Sequence, residues 1–307
     1  MKPRHIRPGD RVGIVAPASP VTKEQLEPGL RLLEERGYVP VLGEHVWERD
    51  GYLAGPDQHR AEDIERMFAD DSIRAVICAR GGYGAARMLD HLDTSVIEEN
   101  PKLLVGFSDI TMLHLACHAE AGLVTLYGPM LITFSVQRPK WVADMWFRAM
   151  EVPEPLPALP LDGHATCLTP GVAEGLVLGG CLCLLTDSIG TPYEPDTAES
   201  ILLLEDVDEQ PHRVDAMLQH LKQGGLLGPA EGIVVGEMTR TDERPDPGIG
   251  VRTAASILAD HLGGRGVPTV TCFPFGHMTA PLTLPLGIRA RLDAEAGTLA
   301  YLESATS

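Results

Sequence analysis

Three places in this 307-residue chain put a reactive side chain where a strand is expected to end. In open α/β sheets, ligands bind outside the carboxyl ends of the strands, so chemistry is sought there first. Leu103-Leu104-Val105-Gly106-Phe107-Ser108-Asp109-Ile110-Thr111 reads as strand, serine, helix. A serine at that junction stands on a sharp turn with its hydroxyl exposed. The next N–H, on Asp109, sits at a helix start whose dipole favours negative charge. This is the logic of a nucleophile elbow without the GxSxG spelling. The same serine would also serve as a plain helix N-cap.

The second place is Arg80-Gly81-Gly82-Tyr83-Gly84, after the apolar run Ile73 to Ala79. Glycines there let backbone N–H groups approach a ligand, as in an anion or oxyanion site. A tight strand-to-helix turn needing positive φ would use the same residues. No Lys-Ser/Thr follows, so it is not a Walker loop. The third is Ile201-Leu202-Leu203-Leu204-Glu205-Asp206-Val207-Asp208-Glu209, where an apolar strand delivers carboxylates at its end. An acid there could orient a histidine or bind a metal, or the cluster could be a solvated acidic turn.

Of the 11 histidines, His114 and His118 lie i, i+4 on the helix after Ser108, a spacing able to hold a metal. No HExxH-type glutamate accompanies them, which favours packing. His277 lies in Phe273-Pro274-Phe275-Gly276-His277-Met278, a loop shaped by glycine and proline after the strand Thr269 to Phe273. Such loops often carry general bases. A serine hydroxyl is a weak nucleophile and needs a base; an imidazole serves at neutral pH, and a carboxylate fixes its tautomer. The residue types permit Ser108, His277 and Glu205 to combine in this way, but do not select them from the other histidines and acids.

The elements that must position these groups follow from the pattern. Strands are expected at Arg11 to Ala16, Tyr38 to Leu42, Ile73 to Ala79, Lys102 to Phe107 and Leu123 to Leu126. Helices are expected at Glu24 to Arg36, Gln58 to Ala69, Ala85 to His91 and Asp109 to Ala121. The alternation implies a parallel, Rossmann-like sheet with right-handed crossovers. Residues 151 to 161 hold four prolines, which block both helix and ladder, so they read as a linker. Beyond it come strands at Ala173 to Leu178, Ile201 to Glu205 and Gly232 to Val235, with helices at Val214 to Gly224 and Arg252 to Leu262. The expected organisation is an N-terminal α/β domain over 1–165 and a smaller C-terminal α/β domain over 166–307.

Composition excludes other classes. Apolar residues make up 44% and charged residues 22%, ordinary for a globular chain. The 43 acidic residues against 25 basic ones give a net charge of −18. Nucleic acid and anionic membrane surfaces both select for clustered cations, so both are disfavoured as partners. Six scattered cysteines without a CxxC pair read as reduced thiols rather than a disulfide framework. No run reaches the ~20 apolar residues of a membrane helix, and the stretch Val12 to Ala16 is too short for a signal-peptide core. The expected location is the cytoplasm.

Four segments together resemble a known family, the L,D-carboxypeptidases of peptidoglycan recycling, whose serine peptidase family also contains the microcin C immunity peptidases. They are Ala79-Arg80-Gly81-Gly82-Tyr83-Gly84; Gly106-Phe107-Ser108-Asp109-Ile110-Thr111; Gly190-Thr191-Pro192-Tyr193-Glu194-Pro195 with Leu203-Leu204-Glu205-Asp206; and Phe275-Gly276-His277 with Leu284-Pro285-Leu286-Gly287. The resemblance implies a Ser-His-Glu triad in which Ser108 is the nucleophile, Glu205 the acid and His277 the base. It implies an oxyanion hole from the N–H groups of Asp109 and the Gly81-Gly82 turn. It also implies an N-terminal domain holding the serine, a C-terminal domain holding the other two, a homodimer, and no metal or other cofactor. One segment departs from the pattern. Where the family usually has Gly-Gly-Asn-Leu, this chain has Gly179-Gly180-Cys181-Leu182-Cys183, a thiol in place of an amide that could bind substrate.

The function so implied is hydrolysis of the L,D-amide bond to terminal D-alanine in murein tetrapeptides. A microcin-immunity-type peptidase, cutting an amide on a peptidyl-nucleotide, would keep the triad and change the substrate. The segment Met238 to Val251 has no aromatic residue to stack a base, which weighs against it. A non-catalytic small-molecule-binding α/β protein is the reading of another class, and retention of all three triad positions weighs against that.

Overall fold

The computed structural model describes residues 1–160, 165–243 and 252–307. They form two compact units. The first comprises Met1–Glu154, Thr283–Gly287 and Ser304–Ser307; the second comprises Pro155–Leu282 and Ile288–Glu303. The sequence reading drew one break near residue 165, whereas the chain returns to the first unit twice near its end.

In the first unit, strands β1 (Arg11–Val15), β2 (Val39–Leu42), β3 (Ile73–Cys78), β4 (Leu103–Gly106) and β5 (Thr125–Tyr127) alternate with helices. These are α1 (Lys23–Glu35), α2 (Asp57–Ala69), the short α3 (Ala85–Met88) and α4 (Ser95–Glu99), and α5 (Thr111–Ala121); α6 (Lys140–Glu151) follows β5. The five strands are parallel in the order β5-β4-β3-β1-β2. Residues of β3 and β4 are buried almost without interruption, as expected of strands covered on both faces. The five strands form the parallel sheet expected from sequence, and one strand that the sequence did not show is added at its edge. Leu284–Leu286, β11 in chain order, pairs antiparallel with β5. The order of connections reverses between β1 and β3, the place where such sheets open a crevice at their carboxyl ends. The loop after β1 and the glycine loop after β3 leave the sheet there, and Ser19 N–H donates to the Gly81 carbonyl at 3.3 Å.

The second unit is built on a mixed seven-stranded sheet, β13-β12-β7-β8-β9-β10-β6. Its strands are β6 (Thr166–Thr169), β7 (Val172–Cys181), β8 (Ser200–Val207), β9 (Gly232–Thr239), β10 (Thr269–Thr271), β12 (Arg289–Asp293) and β13 (Thr298–Tyr301). β7, β8, β9 and β10 run parallel, and the outer strands are antiparallel. Helices α7 (Leu182–Ser188), α8 (Pro211–Gln223) and α9 (Ala254–Leu262) complete it. Among the described residues, no helix is long and apolar enough to cross a membrane.

Candidate active site

Ser108 follows β4 by two residues and begins a 3-10 turn, Ser108–Ile110, that runs into α5. Its φ is +66°, a left-handed conformation that costs a residue with a Cβ and that clusters at functional turns. The cap positions of the turn and of α5 are Phe107 and Ile110. Ser108 is therefore not an N-cap, and that alternative is set aside. Its backbone is held from two sides. Its N–H donates to Tyr127 Oη at 3.3 Å, and its carbonyl accepts from Thr111 Oγ1 at 2.7 Å.

The glycine loop packs directly on this turn. A Cβ on Gly81 would lie 3.0 Å from Ser108 Cβ, 3.2 Å from its Oγ and 3.3 Å from Asp109 N. Only a residue without a side chain sits there without displacing the serine. Gly82 has φ +116° and rests against the Ser19 side chain, whose hydroxyl accepts from Tyr83 N–H at 3.2 Å. Neither Gly81 N–H nor Gly82 N–H bonds to another group among the described residues. Asp109 has a part that its sequence position did not reveal. Its buried carboxylate accepts from Ala85 N–H at 2.8 Å and so locks the start of α3, and with it the glycine loop, to the serine turn.

In the second unit, β8 carries Glu205, which is fully buried. The solvated acidic turn considered from sequence is thus excluded for this residue. One carboxylate oxygen, Oε2, accepts from both His277 N–H at 3.1 Å and His277 Nδ1 at 2.8 Å. The ladder between β8 and β9 shifts register between Leu204 and Asp206, so Glu205 sits in an irregularity that aims its side chain. Thr239 Oγ1 donates to the His277 carbonyl at 2.6 Å. Burial draws the His277 imidazole down, but the Glu205 carboxylate outweighs it by charge and hydrogen bond, and its pKa lies above the usual 6.5.

Gly276 makes this pairing possible. Its φ is +86°, and a Cβ there would overlap the Glu205 carboxylate. Gly276→Ala is expected to lose about 1–2 kcal/mol to the left-handed conformation and about 1–3 kcal/mol to overpacking. Denaturant unfolding should register the loss. NMR titration of His277 should show its pKa falling as the Glu205 bond is displaced.

Among the described residues, His114 and His118 belong to no group of three or more side chains able to hold a metal. His114 is buried, its Nε2 donates to the Gly106 carbonyl at 2.9 Å, and burial lowers its pKa to about 4. Two other groups among the described residues could hold a cation, His45 with Glu48 and His59, and Cys181 with Cys183 and Asp206. Ser108, Gly81, Gly82 and Asp109 are thus assembled within the first unit, and Glu205 and His277 within the second. The segment 244–251, most of the stretch read for missing aromatics, lies outside the described residues.

Comparison with known proteins agrees along the whole chain. Residues 12–128 match the LD-carboxypeptidase N-terminal domain and residues 174–292 the LD-carboxypeptidase C-terminal domain. The Bacillus subtilis protein named "Probable murein peptide carboxypeptidase" is 38% identical, over 100% of this chain and 95% of its own. The murein tetrapeptide carboxypeptidase of Pseudomonas aeruginosa is 31% identical, over 92% and 93%. Among solved structures, an MccF-like protein from Bacillus anthracis superposes with a TM-score of 0.90 at 25% identity, covering 99% of both chains. Both matched domains, in order, and relatives above 30% identity over nearly the full length make the chain a member of the LD-carboxypeptidase family, and hence a serine carboxypeptidase, a hydrolase.

Proposed function

We propose that the protein is a cytoplasmic, homodimeric murein peptide carboxypeptidase. It hydrolyses the L,D-amide bond between the L-centre of a diamino acid and terminal D-alanine in murein tetrapeptides. In this reading Ser108 Oγ attacks the amide carbonyl carbon and His277 Nε2 takes its proton. The oxyanion forms against the N–H groups of Asp109 and of the Gly81-Gly82 turn. The C–N bond then breaks, His277 returns the proton to the leaving amine, and free D-alanine departs. Water, activated by the same imidazole, cleaves the acyl ester and restores Ser108.

The observation that carries the reading is the hydrogen bond from His277 Nδ1 to Glu205 Oε2, which fixes the imidazole in the Nδ1–H tautomer and leaves Nε2 as the basic nitrogen, while the His277 backbone N–H donates to the same oxygen. The left-handed Ser108 turn supports it from the other unit, and the names of the relatives support the substrate class. No metal or cofactor is needed for these steps. Mass spectrometry after incubation with murein tetrapeptide tests it: tripeptide and free D-alanine are expected. The MccF-like fold keeps one alternative, cleavage of a peptidyl-nucleotide amide. Turnover of such a conjugate with an untouched tetrapeptide would replace the first reading by the second.

The pH profile follows from the direction of the His277 shift. The base must be neutral to act, and its pKa in the folded protein is raised above 6.5 by Glu205. The rate should therefore fall as pH drops through a midpoint above that value. His114, at about 4, cannot supply this limb. A kcat/KM profile with its acid midpoint below 6.5 would assign the limb to another group.

A further inference from the structure

Cys181 closes β7 and Cys183 lies in the first turn of α7, with their sulfurs 3.4 Å apart. The Asp206 carboxylate joins them, and one donor atom from each of the three lies within 4.8 Å of the others. Asp206 is 2% exposed and is oriented by two backbone donors, Cys183 N–H at 2.9 Å and Val207 N–H at 2.7 Å. A buried cysteine that only fills space sits among apolar groups; these two face each other and an acid. We infer that Cys181, Cys183 and Asp206 form a binding site for one thiophilic divalent cation, of the zinc or cadmium type, one strand away from Glu205.

Donor chemistry sets the class of ion. Two sulfurs and one oxygen suit a borderline or soft cation and reject magnesium and calcium, which take all-oxygen shells. Zinc–sulfur bonds of about 2.3 Å place tetrahedral sulfurs about 3.8 Å apart. The pair must separate by only roughly 0.4 Å. Three protein ligands leave a fourth position for water, and Cys183 is half-buried, which gives a route in. The hydrogen bond with Cys183, then burial, push the Cys181 thiol well up, and burial pushes Asp206 up to about 6. Without a cation, therefore, the sulfurs carry protons. A thiolate binds the cation and a thiol does not, so binding displaces the protons of the sulfurs and affinity must weaken in acid. Cys181 lies opposite Glu205 in the β7–β8 ladder. A cation held there stands beside the acid of the proposed triad. If that assignment holds, occupancy inhibits hydrolysis.

The test uses the full chain, reduced, with the exposed thiols removed as Cys167→Ser and Cys272→Ser. Cadmium is titrated in and the ultraviolet cadmium–thiolate absorption is read. The expected result is a band that saturates at one equivalent, is displaced by zinc but not by magnesium, and weakens as pH is lowered. Cys183→Ser and Cys181→Ser should each abolish it. Asp206→Asn should keep the band, which comes from the two thiolates, and weaken binding by at least about tenfold, because losing a ligand costs no less than losing an outer-shell partner. Thermal melts of the same variants show that each is folded. A one-equivalent band that survives Cys181→Ser or Cys183→Ser in folded protein, or the absence of any band in the parent, overturns the site. The band is read without substrate, so failure of the peptidase assignment leaves this result intact. Under that assignment, zinc inhibits the parent and not Cys183→Ser.

Discussion

Ser108→Ala is expected to lower kcat on murein tetrapeptide by about 10⁶, the loss measured when the nucleophile of a serine triad is removed. The size of the effect comes from the chemistry: without Oγ there is no acyl-enzyme, and only the binding and oxyanion contributions remain. The fold should survive. The left-handed backbone at this position is held through Ser108 N–H and its carbonyl, by Tyr127 and Thr111, and both bonds persist in the alanine variant. Ser108 is not at a cap position of the following helix, so the ~1 kcal/mol that an N-cap contributes is not lost either. The melting temperature should thus move by no more than a few degrees. Single-turnover kinetics alongside a thermal melt would check both parts. An alanine variant retaining more than a few per cent of activity would sink the assignment of Ser108 as nucleophile.

Most of what positions this serine was legible in the sequence, because the signals are local. A buried apolar run, then serine, then helical periodicity has few other meanings, and β3, β4 and α5 appear within two residues of their expected bounds. Contacts between distant segments were not legible. The strand Leu284–Leu286 is three residues long and pairs with β5 more than 150 positions earlier, which no local pattern reports. The helix α6 lay unread before the prolines, although Val142, Trp146 and Met150 form a buried stripe at helical spacing. Within the site, the partners that act through one hydrogen bond were invisible: Tyr127 on Ser108, Thr239 on His277, and the Asp109 carboxylate on Ala85. The N-cap reading of Ser108 was reasonable on propensity and fails because propensity carries no sign of φ. Gly236 and Gly276 did leave a trace, since glycine at both positions flanks Glu205 where any Cβ would crowd it.

Glu205→Gln is expected to lower kcat by about 10⁴, the cost of the equivalent carboxylate-to-amide change in the Ser-His-Asp template. Glu205 Oε2 accepts two N–H groups of His277 at once. An amide can accept both only with its oxygen in that place, and it then lacks the charge that stabilises the imidazolium formed during acyl transfer. With its nitrogen in that place it opposes two donors and favours the wrong tautomer. The side chain has no room to turn aside, being fully buried against Gly276 and Gly236. Asp206 is the control for this claim, since sequence alone left a cluster of acids to choose from. Its carboxylate accepts from Cys183 and Val207 rather than from His277. Asp206→Asn should therefore keep kcat within about a factor of ten of the parent, since no bond to His277 is lost, while the lost N–H bond to a carboxylate costs stability of about 1.5–3 kcal/mol. The two variants, with Asp208→Asn, belong in one series on one tetrapeptide, each read for kcat and for the pKa of His277 by NMR. Glu205→Gln should also remove the upward shift of that pKa, because its carboxylate is what raises it. A crippled Asp206→Asn beside a near-normal Glu205→Gln would mean that the acid serving His277 has been misassigned.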